Sequence, residues 1–217
     1  MELLAGELAA GIPTVVLLQV LDALIGLPLE AEADSAAALL ERLSEGDYGE
    51  LQSHTLLFFG AWSARRRDDR RAEAIAAALD AQAALSQDPA SRAYAAAVRG
   101  HLAVARGDTS AAVERFREAT SIGIGRGLTW ELAAPLVAER LALAELLLAT
   151  GRPREAATVA AVFDHPEPLL FLVGLRPSLE IRLRAARAMG DRRLTETTAS
   201  RLDRLQVTQL LSSGGVP

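Results

Sequence analysis

Short breaks of one chemical type recur along this chain, and they constrain its fold more than any other feature. Gly107-Asp108-Thr109, Gly151-Arg152-Pro153 and Gly190-Asp191 each separate two stretches of helical apolar periodicity. Glycine takes the left-handed conformation that closes a helix, and Asp or Thr caps the next one. Pro153 falls in a first turn, where its missing N–H costs nothing. A fourth break has no glycine. Arg65, Arg66 and Arg67 fall in a last turn, where cations suit the helix dipole, and Asp68 and Asp69 open the next, where anions do. The periodicity predicts helices near 13–25, 33–44, 49–66, 69–85, 91–106, 109–122, 130–150, 153–163, 177–189 and 192–211. No stretch shows the alternation of a strand.

The breaks fall in register. Seven residues before each stand Gly60, Gly100, Ala144 and Leu183, at intervals of 40, 44 and 39 residues. Five residues after each turn position stand Ala72, Ala112, Ala156 and Thr195. Next come Ala76, Phe116, Ala160 and Ala199, then Leu79, Ala119, Phe163 and Leu202. Small residues let two helices cross closely, and apolar residues four and seven beyond stay on the same face. The register places Ala112 at a buried crossing. An irregular helical bundle with glycine turns recurring by chance is the competing reading.

Gly100, Gly107, Ala112, Phe116 and Ala119 stand at the spacing of the tetratricopeptide motif, which this chain resembles. Ala144, Gly151 and Ala156 form a weaker copy, and the other two are degenerate. The four copies cover roughly residues 53 to 203. The ordinary motif recurs every ~34 residues, so the longer intervals are a departure. The run from Leu146 to Ala157 is similar to the longer-helix repeats of large bacterial signal-responsive activators of the maltose-activator type. Those regulators carry nucleotide-binding and DNA-binding modules, and neither is visible here.

The resemblance implies an all-α, right-handed superhelical stack of antiparallel helix pairs, about ten helices in one domain over 1–211. An N-terminal pair spans 13–44. Repeats follow over about 49–85, 91–122, 130–163 and 177–211, with a flexible tail at 212–217. The first helix of each pair would line a concave groove. Its positions fall on His54, Leu57, Ala61 and Arg65, then Tyr94, Ala97 and His101. They continue with Ala138, Leu141 and Glu145, and with Glu180, Arg184 and Arg187. The family's Lys/Asn carboxylate clamp is excluded, because the chain has neither residue. Arg184 and Arg187, three residues apart on one helical face, form a candidate anion clamp; a solvated arginine face is the alternative. The implied function is a regulatory or scaffolding module binding a peptide or partner protein in the groove. A small-molecule-sensing domain of a regulator is the other reading. A deep, enclosed pocket would favour sensing, and an open groove would favour protein binding.

Composition narrows the chemistry. Cys is absent, and all 23 basic residues are Arg. Thiolate sites, Walker A lysines and Schiff bases are therefore excluded. A formal net charge of -5 argues against nucleic-acid binding. His54, His101 and His165 lack metal-ligand spacing. Gly123-Ile124-Gly125-Arg126-Gly127 follows a helix, not a strand, and reads as a loop. Trp62 and Trp130 read as packing residues. The inventory supports no enzyme, cofactor or metal. The apolar run Ile12 to Leu29 contains Gln19, Asp22, Pro13 and Pro28, too broken for a membrane span. No basic leader is evident, so a cytoplasmic location is the default.

The two ends differ. In the last helix Leu194, Leu202, Leu205 and Leu210 alternate with Arg193, Glu196, Arg201 and Arg204, which suits a terminal cap. The first helix is apolar nearly all round. It is expected to meet a second copy of the chain or an upstream domain, unless its own flanking segments cover it.

Overall fold

A computed structural model of the chain describes residues 34, 37, 38, 40–42, 44, 47–49, 51–87, 89–121, 136–165 and 171–213, with side chains to 205. Among these residues every regular element is helical. Two compact units divide the chain, residues 1–136 and 137–217. The helix expected over 13–25, with its proposed partner copy or upstream domain, lies outside the described residues. So do Gly123–Gly127, Trp130 and the last tail residues.

The first unit contains α1 (Ser53–Arg65), α2 (Asp69–Ser86), α3 (Pro89–Arg106) and α4 (Thr109–Ser121). The described positions within 34–44 are also helical. The second contains α5 (Val137–Ala149), α6 (Pro153–Ala160) running into a 3-10 turn (Ala161–Asp164), α7 (Phe171–Met189) and α8 (Arg192–Ser213). α7 begins six residues before the expected start, with Pro177 inside it. The buried Phe171 and Gly174 anchor this earlier start.

Each unit shows one packing order. α1 packs on α2, α2 on α3, α3 on α4, and the two first helices, α1 and α3, pack on each other. In the second unit α5, α6, α7 and α8 repeat this order, and α5 packs on α7.

All four predicted turns close alike. Arg67, Gly107, Gly151 and Gly190 have positive φ of 60°, 77°, 74° and 69°. At each, two backbone N–H groups donate back into the helix just ended. Asp68 N–H reaches Ser63 O at 2.9 Å, Asp108 N–H reaches Ala103 O at 2.9 Å, and Asp191 N–H reaches Ala186 O at 3.0 Å. Arg152 N–H reaches Leu147 O at 2.8 Å. This left-handed closure satisfies carbonyls that a helix end leaves orphaned. Asp68, Asp108 and Asp191 then cap the following helix through Arg71, Ala111 and Leu194 N–H. At the fourth turn Pro153 stands in the first turn instead.

The repeat register is a packing register. Ala72, Ala76, Leu79, Ala112, Phe116, Ala119, Ala156, Ala160 and Phe163 are all buried. The last copy is looser: Thr195, Ala199 and Leu202 are half-buried, on a helix with the exposed polar residues Arg193, Glu196 and Arg204. A Cβ on Gly60 would sit 2.6 Å from Val98 Cγ2 and 3.2 Å from Ile75 Cγ2. One on Gly100 would sit 2.5 Å from Phe116 Cε1. A third close approach, Gly174 under the Phe163 ring, was not anticipated. The register had pointed to Leu183, which is half-buried.

These contacts set two expectations of opposite sign. Alanine in a helix interior ordinarily gains about 1 kcal/mol over glycine. Gly100→Ala should reverse that and lose about 1–3 kcal/mol, because the buried Phe116 ring has nowhere to go. Equilibrium urea unfolding measures it, and Phe116→Leu in the same chain should shrink the loss. Arg67→Gly should instead gain about 0.5–1 kcal/mol by relieving the left-handed arginine.

Candidate functional site

The positions expected to line a groove divide between the two units. In the first, Leu57, Ala61, Tyr94 and Ala97 are buried, with Tyr94 and Ala97 fully so. This corrects the expectation for Leu57 and Tyr94. α1 and α3 pack face to face, and both side chains join the core that includes Ala37 and Leu40. His54 is half-buried, and that burial lowers its pKa. His101 is half-buried, edge-on to Phe116 with ring centroids 5.1 Å apart. Arg65 alone of this unit's groove set is exposed.

In the second unit the same positions reach the surface. Ala138, Glu145, Glu180, Arg184 and Arg187 are exposed, and Leu141 is half-buried. Arg184 and Glu145 form an ion pair across the α5–α7 seam, each about half exposed at 50% and 47%. That hydrogen bond raises the Arg184 pKa, with Glu180 adding to it. Glu180 also pairs with Arg176 at 3.2 Å. The Arg184–Arg187 clamp is thus not a free pair, since Arg184 already holds Glu145. Arg187 forms none of the ion pairs seen among the described residues. Exposed Leu172 stands eight residues before Glu180, two steps of the i+4 row. The same spacing is present in the sequence, but the helix predicted over 177–189 starts after it.

A second charge cluster holds the unit together. Asp164, at the end of the 3-10 turn, accepts from Arg182 Nη1 at 2.8 Å and from Arg201 Nη2 at 2.7 Å. It ties the α6 segment to α7 and α8. Burial raises the Asp164 pKa, but the bonds from Arg201 and Arg182 outweigh burial and hold it below the usual aspartate value. Arg182 also borders a depression of about 490 Å³ between α6, α7 and α8. Arg154, Thr158, Met189 and Asp191 line it, and it is open to solvent. Arg182 lies two residues from Glu180 and from Arg184, about 200° round the helix from each, so the depression is on the other face of α7.

Among the described residues no group of three or more His, Cys, Asp or Glu could hold a metal. Nor is any described helix long and apolar enough to cross a membrane.

The Asp164 cluster predicts a pH dependence. Its lowered carboxylate pKa means that it stabilises the fold above the unfolded value of about 3.9 and loses that contribution as pH falls through the folded value. Asp164→Asn should cost about 1 kcal/mol at pH 7. The melting-temperature gap to the unsubstituted chain should close as pH is lowered below about 4. Compared with protein families, curated proteins and solved structures, the chain matches none.

Proposed function

We propose that the chain is a tetratricopeptide-like interaction module, a regulatory or scaffolding stack of helix pairs that binds a peptide or partner protein. The observation that carries this reading is the α5–α7 face. Two first helices lie side by side and leave Ala138, Glu145, Leu172, Glu180 and Arg187 at the surface. A partner segment laid there meets apolar contacts beside charges of both signs, a mixture that fixes orientation as well as affinity. The right-handed superhelix and the likeness to bacterial regulators belong to the same proposal, supported by the shared packing order and the four matching turns. The α6–α7–α8 depression gives less support to small-molecule sensing. It is open, and Arg182 at its edge is already committed to Asp164.

Site-specific photocrosslinking in cells of the native host tests the reading. A photoreactive residue at position 141 or 187 should capture a protein, while one at position 196, on the exposed side of α8, should not. Capture from position 196 alone, or from none of the three, would overturn it.

A further inference from the structure

We draw no further inference here: the strongest candidate, the exposed stripe of α2 that runs from Ala74 through Ala77, Ala81 and Ala84 to Leu85, is a row of small residues ending in one exposed leucine, and nothing in the structure shows what covers it.

Discussion

Each unit depends on side chains laid directly against glycine backbone. Phe116 covers Gly100, Phe163 covers Gly174, and Val98 and Ile75 meet Gly60. In each case the missing Cβ is the space that the neighbour fills. The chain is poor in aromatics, at 4%, and many of its buried residues are alanines. A core of small side chains gains enough dispersion contact only if helices approach closely. The glycine crossings permit that approach, and alanine seams such as Ala144 and Ala160 against Ile181 extend it.

Close crossing requires helices of fixed direction, and the turns supply it. Four turns use the same pair of backbone hydrogen bonds, whether the left-handed residue is glycine or Arg67. Three continue into an aspartate cap, so one helix ends and the next begins within a few residues. The bond pattern is a property of the backbone, which is why arginine can stand in for glycine at a cost.

The two units use the same order of packing to different ends. In the first, α1 and α3 seal Leu57 and Tyr94 inside. In the second, α5 and α7 meet through a half-exposed ion pair, and their outer positions stay at the surface. Ionised side chains at those positions resist burial, whereas Leu and Tyr favour it. Asp164 marks the other extreme. It is held by two arginines from two helices, one with only 12% of its side chain exposed, and acts as a structural tie.

Among the described residues most helices, the four turns and the buried residues of the first three copies were legible because each rests on local chemistry: glycine or a cap at a break, and small or apolar residues at helical spacing. The all-helical class follows from the same signals. Tertiary structure decided the rest. The start of α7 depended on Phe171 and Gly174 finding the Phe163 ring, a contact between segments that no local rule anticipates. The groove residues shared one register in sequence, yet Leu57, Ala61, Tyr94 and Ala97 on α1 and α3 were buried, while Ala138, Glu145, Glu180, Arg184 and Arg187 on α5 and α7 reached the surface. Register assigns a residue to a helix face, but the neighbours packed on that face determine whether water reaches it. Arg184 was legible as an exposed cation. Only the approach of α5 to α7 gave it Glu145, because a sequence separation of 39 carries no record of the distance across the seam.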